Sequence, residues 1–342
     1  GRVFFAQPQH KFDVNHGSLI PRARSWFRDT LKRSRCYEAI FSEGRGEFRR
    51  RDAVGEGSAG DEIETYTEIV VSPEDDIELR RVRITNRSRQ RREIEVTSYA
   101  EVVIAPPAAD VLHPAFSKLF VQTEILEEEN AILCMRRPRS ADEATPWMLH
   151  LQVVHGVDAM AVSWETDRAR FIGRTRTTAS PLAMSTSGAL SGTAGAVLDP
   201  IVAIRHRISL DPEQSASIDI VSGMADTREL AVGLVHKYQD RHLADRVFDL
   251  AWTHSQVGLQ QINAVEADAQ LYARLASSVL HANGSLRGDP EQLIRNHRGQ
   301  SALWGYAISG DLPIVLLQIG DAANIDLVRQ LVQAHSYWRL KG

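Results

Sequence analysis

From about residue 61 to residue 223, short β-patterned segments recur at roughly ten-residue intervals, and no helical period interrupts them. In DEIETYTEIVVSPEDDIELRRVRITNRS (61–88), Ile63, Tyr66, Ile69 and Val71 make one run and Ile77, Leu79, Val82 and Ile84 the next. Ser72-Pro73-Glu74-Asp75-Asp76 separates the two runs, and Thr85-Asn86-Arg87-Ser88 closes the second. RREIEVTSYAEVVI (91–104) repeats the pattern, with Ile94, Val96 and Ser98 on one face and Glu93, Glu95 and Thr97 on the other. AILCMRRP, WMLHLQVVHG, MAVSWETD and VAIRHRISLDPEQSASIDIVSG continue it. Strands that succeed one another without crossover helices pair antiparallel, so this stretch is expected to form sheets packed as a sandwich or barrel. Two Gly/Ser/Ala-rich tracts, 53–60 and 185–196, read as surface loops.

The pattern changes at ADTRELAVGLVHKYQD, where Thr227 is placed to cap a helix whose Leu230, Leu234 and Tyr238 recur at helical spacing. The helical period continues through Val247, Leu250, Ala251, Leu259 and Ile262 to Leu271, Leu275 and Leu280. A polar turn (HANGSLRGDP), EQLIRNHRGQ, ALWGYAISGDLPI and a last helix in AANIDLVRQLVQAHSYWRL follow. The expected order is a β domain over 37–225, a helical linker over 226–265 and the opening helices of an α domain over 266–342. Those last helices are too few to close a domain, so the chain reads as part of something longer. Residues 1–36 stay unassigned: PRARSWFRDTLKRSR is basic and compatible with a helix, but QPQHKFDVNHG has no period.

Hydrophobic content of 43% and charged content of 25% are those of an ordinary globular chain, and 342 residues suffice for two domains. A net charge of -4, with acids interrupting or flanking the basic runs RGEFRRRD and RSRQRRE, argues against a nucleic-acid partner. No apolar run reaches ~18 residues and no signal-peptide core is present, so neither a membrane span nor secretion is expected. Cys36 and Cys134 match no zinc or redox spacing and read as reduced thiols, which suits the cytoplasmic side. His150 and His155 have no third ligand at metal spacing, so no metal site is expected.

Two stretches carry candidate chemistry. In ALWGYAISGDLPI (302–314), Asp311 follows Ser309-Gly310. Its carboxylate can accept hydrogen bonds from sugar hydroxyls while Trp304 or Tyr306 offers a flat face to a pyranose ring. The structural alternative is that Asp311 caps a helix starting near Leu312, with Pro313 in its first turn. Arg295 and Arg298 are either bidentate donors nearby or solvated side chains. In HPAFSKLF (113–120), His113, Phe116 and Lys118 could reach a site on a neighbouring domain; alternatively Phe116 and Phe120 plug the sandwich. No G-x-S-x-G elbow and no acid–base carboxylate pair stands out, so no catalytic residue is nominated.

ETYTEIVVSPEDDIELRRVRITNRS, EVTSYAEVVIAPPAADVLHPAFSKLFVQTEI, DPIVAIRHRISL and QSALWGYAISGDLPIVLLQI resemble glycoside hydrolase family 94, and within it the phosphorylase-like region of the cyclic β-1,2-glucan synthases. HSYWRLKG is similar to the same subgroup, and the resemblance runs over about residues 37–342. It implies a galactose-mutarotase-like antiparallel β-supersandwich, a helical linker and the first helices of an incomplete (α/α)6 barrel. It also implies inverting cleavage of β-glucosidic bonds with inorganic phosphate as co-substrate and no cofactor. On this reading the catalytic acid and phosphate site lie beyond Gly342. Asp311, with Arg298, Trp304, Tyr306 and Ser309, would line a glucosyl subsite, and His113, Phe116 and Lys118 would form an active-site loop. The cellobiose-type phosphorylases carry Arg-Asp near this point, whereas Ser309-Gly310 precedes the acid here. The implied partners are a β-glucan oligosaccharide, the remainder of the parent enzyme at the cytoplasmic face of the inner membrane, and a second copy as a homodimer. Two other readings remain: a stand-alone carbohydrate-binding module, and a structural or dimerisation scaffold for the barrel.

Overall fold

The computed structural model describes residues 34–53, 61–138, 140, 143, 145–186, 188–281, 284 and 288–341, together with the backbone of 2–6; at 34–36 and 107 it likewise gives backbone alone. The chain divides into two compact units, Gly1–His254 and Ser255–Gly342.

The first unit holds two sheets. The smaller has the order β1-β6-β12-β10, from β1 (Arg2–Ala6), β6 (Arg92–Glu101), β12 (Pro200–Leu210) and β10 (Ala161–Asp167). The larger has nine strands in the order β11-β7-β8-β9-β13-β5-β4-β3-β2. These are β2 (Ser34–Ser42), β3 (Arg45–Ala53), β4 (Glu62–Val71), β5 (Ile77–Asn86), β7 (Val121–Leu126), β8 (Ala131–Arg136), β9 (Trp147–His155), β11 (Gly195–Ala196) and β13 (Ser215–Ala225). Pairing is antiparallel except that β1 runs parallel to β6, with Val3 opposite Val96. The antiparallel β-supersandwich followed by helices is therefore the architecture found. Of the unassigned N-terminal segment, β1 and the start of β2 are described; the basic stretch 21–33 and the tract 54–60 lie outside the described residues.

Alternation decides which side chains meet between the sheets. Ile94 and Val96 of β6 and Ile208 and Leu210 of β12 pack on Val82, Ile84, Ile218 and Ile220 of the larger sheet. The other face of the larger sheet presents Leu79, Leu133, Leu149, Leu151 and Val221 to α-helices. Central strands are consequently buried on both faces, as β13 is from Ala216 to Gly223.

The PPAAD break folds into two short helices, α1 (Pro107–Leu112) and α2 (Pro114–Lys118). Each begins with proline at the first helical position, where a missing N–H removes no intrahelical bond. The next two, α3 (Arg168–Ile172) and α4 (Leu182–Ser185), cover Tyr99, Ile201 and Ala203 on the outer face of the smaller sheet. Then α5 (Arg228–Gln239) starts where the Thr227 side chain accepts a hydrogen bond from Leu230 N at 3.2 Å, as the sequence predicts. Its buried stripe matches the predicted one at Tyr238, and Leu234 packs at its edge, but not at Leu230. Ala231, Val235 and Tyr238 face the sheet, while Leu230 is 56% exposed. Small residues let the helix approach closely, and Ala244, Val247 and Ala251 continue that contact along α6 (Arg241–Gln261).

In the second unit, α7 (Glu266–Leu280) and α9 (Ile325–Leu340) pack through Ala269, Tyr272, Ala334 and Tyr337. Between them lie α8 (Pro290–Arg295), a 3-10 helix (Gln300–Tyr306) and a short 3-10 turn (Ala322–Asn324). Gln333 anchors the pair: its amide donates to Ile262 O at 2.7 Å and Asn263 O at 2.6 Å, and its oxygen accepts from Tyr272. Among the described residues, no helix is long and apolar enough to cross a membrane.

Candidate functional site

The ALWGYAISGDLPI loop is built by a reversal after the 3-10 helix. Ala307 and Gly310 both sit at positive φ, 57° and 76°. A β-carbon at Gly310 would come within 3.0 Å of Gln300 and of Leu303, so both the dihedral and the close approach require glycine there. The reversal brings Ser309 and Asp311 back over Gln300. The Gln300 amide donates to Ser309 O at 2.9 Å and to Asp311 Oδ1 at 2.7 Å. The Ser309 hydroxyl donates to Asp311 Oδ2, and the Trp304 indole N–H donates to Ser309 O at 3.2 Å. Hydrogen bonds from Ser309 and Gln300 hold the Asp311 carboxyl below its ordinary pKa. An ionised carboxylate of this kind accepts hydrogen bonds and is a poor proton donor near neutral pH.

No helix begins at Leu312, so the helix-cap reading of Asp311 fails. Residues 313–319 have no regular structure. The reason is local: Pro313 disfavours helical geometry at Leu312, and Leu312 and Leu316 find no apolar surface to pack on. The Trp304 and Tyr306 rings are 63% and 75% exposed. Arg298 lies just before this loop, with its backbone N–H on Asn296 Oδ1 at 3.1 Å, but Gln300 and Ser309, not Arg298, hold Asp311. Arg295 lies 3.8 Å from Glu291 one turn earlier, with both side chains exposed.

The 113–120 segment belongs to the first unit. His113 ends α1 and precedes α2. Phe116 is 54% exposed and packs edge-on against Phe120 at 5.1 Å, so the two rings do not plug the sandwich; Ser117 is the buried side chain of α2. Lys118 is committed to an ion pair with Asp199 at 2.7 Å and lies 3.8 Å from Glu101, which also receives Arg168 at 2.9 Å. Among the described residues, no group of three or more His, Cys, Asp or Glu could hold a metal ion.

The profile of the glycosyl hydrolase 94 supersandwich domain matches residues 25–241. The chain belongs to that family. It is also 34% identical over 281 residues to the cyclic beta-(1,2)-glucan synthase NdvB of Rhizobium meliloti (strain 1021). That alignment takes in 82% of this chain and 10% of the relative, so the chain spans about a tenth of that protein's length. Among solved structures, a human-microbiome protein assigned as a kojibiose phosphorylase matches at TM-score 0.39 and 8% identity, covering 64% of this chain and 24% of its own. A Klebsiella pneumoniae protein assigned as an aldose 1-epimerase matches at TM-score 0.27 and 9% identity, covering 60% of this chain and 58% of its own. Family membership sets the chain among carbohydrate-processing proteins.

Gln300 is the loop residue that sequence reasoning missed. It stands nine positions before Ser309 in QSALWGYAIS, and only the reversal at Ala307 and Gly310 brings it to Asp311. A glutamine opening an aromatic-rich helix ahead of an S-G-D turn is the signal that could have identified it.

Proposed function

We propose that this chain is the supersandwich, helical linker and first barrel helices of a β-glucan-processing enzyme of the cyclic β-1,2-glucan synthase kind. It contributes part of a glucosyl subsite, while later segments of the parent enzyme supply the general acid and the inorganic phosphate site for an inverting phosphorolysis. The observation that carries the reading is the Asp311 loop: an ionised carboxylate fixed by Ser309 and Gln300 next to two exposed aromatic rings. Ring faces and oriented acceptors are what a neutral, hydroxyl-covered pyranose requires. Arg298 is the nearest arginine in sequence able to add a donor once the sugar is present. In this reading α1 and α2, with His113, Phe116 and Lys118, are a further candidate for contact with the glucan.

The test is Asp311→Asn in the parent enzyme, assayed by phosphorolysis of linear β-1,2-gluco-oligosaccharides. Asparagine keeps the shape and removes the anionic acceptor. Activity is expected to fall about tenfold or more, the effect of losing one charge-assisted hydrogen bond, at an unchanged melting temperature. Wild-type activity in this variant would overturn the sugar-contact role.

A further inference from the structure

We infer that a cleft in the first unit, between the β2–β3 turn and α6, is a second binding site, for a neutral saccharide. The cleft has a volume of about 430 Å³. That falls in the roughly 300–1,000 Å³ range of small-ligand sites. One wall is the turn carrying Glu43, with Arg45 and Glu47 beyond it on β3; the other is α6, which contributes Phe248, Asp249 and Trp252. All of these residues precede Ser255, so the cleft belongs to one compact unit.

Two features select the ligand class. The first is the division of labour between the aromatics. The Phe248 ring has the Arg81 guanidinium 4.9 Å and the Arg45 guanidinium 5.7 Å from its centroid, so it is a fixed wall. Trp252 stands four residues later, on the same side of the helix, and is 64% exposed at the cleft. It is a ring held at the lip of a polar cavity, the arrangement that stacks on the C–H face of a pyranose. The second feature is charge. Among the described lining residues, Glu43, Glu47 and Asp249 supply carboxylates, and the single cation, Arg45, is already paired with Glu68 and lies 3.6 Å from Glu47. The wall therefore carries surplus negative charge. It repels phosphate and carboxylate ligands, and with them any sugar phosphate, while it accepts hydrogen bonds from hydroxyl groups. The choice of a gluco-oligosaccharide as probe rests on the proposed function, whereas the neutral-saccharide class rests on the cleft alone.

The experiment is a calorimetric titration of linear β-1,2-gluco-oligosaccharides into this chain and its variants. Trp252→Ala is expected to weaken binding about tenfold by removing the stacking face. Trp252 is on the surface, so its variant should melt with the wild type; should it not, Asp249→Asn keeps the shape and is expected to weaken binding about threefold. Absence of binding to the wild type overturns the inference, as does a titration indifferent to Trp252→Ala and Asp249→Asn. Tighter binding of the corresponding amino-sugar oligosaccharide also overturns it, by showing a site for cations. A titration lost with Asp311→Asn and untouched by Trp252→Ala removes the cleft and leaves the proposed function standing. If Trp252→Ala removes binding while the parent's phosphorolysis is indifferent to Asp311→Asn, the cleft stands and the proposed function falls.

Discussion

Replacing Arg81 by methionine should unfold the first unit at a distinctly lower temperature, because Arg81 is the clip that joins the larger sheet to α6. Its guanidinium donates to both oxygens of Asp219 on β13, at 2.7 and 2.8 Å, and to Asp245 on α6. Asp219 is fully buried. His155 lies 3.5 Å away, an ion-pair distance too long for a strong hydrogen bond. Burial pushes the Asp219 carboxyl up, yet the hydrogen bonds and charge of Arg81, with His155 close by, outweigh burial and leave its pKa below the ordinary value. Removing the cation strands a buried carboxylate, which costs about 3–5 kcal/mol. Asp245 is half-exposed, and its share is small. At ~2–4 °C per kcal/mol for a unit of this size, the melting temperature should fall by roughly 6–20 °C. Differential scanning calorimetry of Arg81→Met, Asp219→Asn and the double variant reads this directly. The double variant should recover much of the loss, since neither charge is then stranded. A loss under about 1 kcal/mol in Arg81→Met, or additive losses in the double variant, would refute the argument. The same clip positions Phe248 and Trp252, so Arg81→Met should also impair the cleft.

Two substitutions test the backbone reasoning. Thr227→Ala removes the cap of α5 and should cost about 1 kcal/mol in chemical denaturation, with Thr227→Asp restoring it. Gly223→Ala places a β-carbon against Ile77 and 2.5 Å from Asp76 O, so a shift of backbone is unavoidable; about 1–3 kcal/mol should be lost, and equal stability would show that the strand end yields freely.

Most of the sandwich was legible because its strands alternate. Ile94, Val96 and Ser98 share a face in the sequence and in the structure, since period two leaves no choice once one face is buried. Strand neighbours were not legible, because β13 pairs with β5 and β9, far away in the chain. The start of the α5 stripe was misread because hydrophobicity ranks Leu230 above Ala231, whereas close helix–sheet approach selects by size; Tyr238 was read correctly. The helices α1 and α2 were hidden by their prolines, which signal a break as readily as a helix start. β1 was overlooked although RVFFA is an apolar run, because a parallel edge pairing leaves no turn signature. In the candidate site, the grouping of the exposed Trp304 and Tyr306 close to Asp311 could be read from local sequence. Its true partner Gln300 and the missing helix could not, because two positive-φ residues decide the chain reversal.

The sandwich interior is not wholly apolar, and this gives the molecule an acid sensitivity that can be located. His150 on β9 is buried between the sheets, its Nε2 2.8 Å from Ser98 Oγ on the smaller sheet and its Nδ1 2.8 Å from Ser222 Oγ on the larger. Two residues on, Gln152 reaches across to His206 Nδ1 at 3.0 Å. A one-residue slip of β9 would turn both groups out of these ties, so the pair enforces register as well as adhesion. The neutral imidazole suits its site with one donor and one acceptor. Burial, and then the nearby Arg80 charge, push the His150 pKa down to about 3, and burial pushes His206 down to about 4. The unfolded chain therefore binds more protons than the folded one as the pH falls below the ordinary histidine value of about 6.5. The stability these groups contribute is fully present above that value and is lost as the pH falls toward 3–4, at up to about 1.4 kcal/mol per pH unit for each histidine. Asp219 acts lower, its contribution being lost only below the ordinary carboxylate range. Denaturant unfolding at stepped pH should thus show His150→Gln with a shallower loss between pH 6.5 and 4, and His150→Gln/His206→Gln with almost none. Equal slopes in wild type and both variants would mean that the imidazoles stay reachable by water in the fold, and that the polar ties do not seal the interface between the sheets.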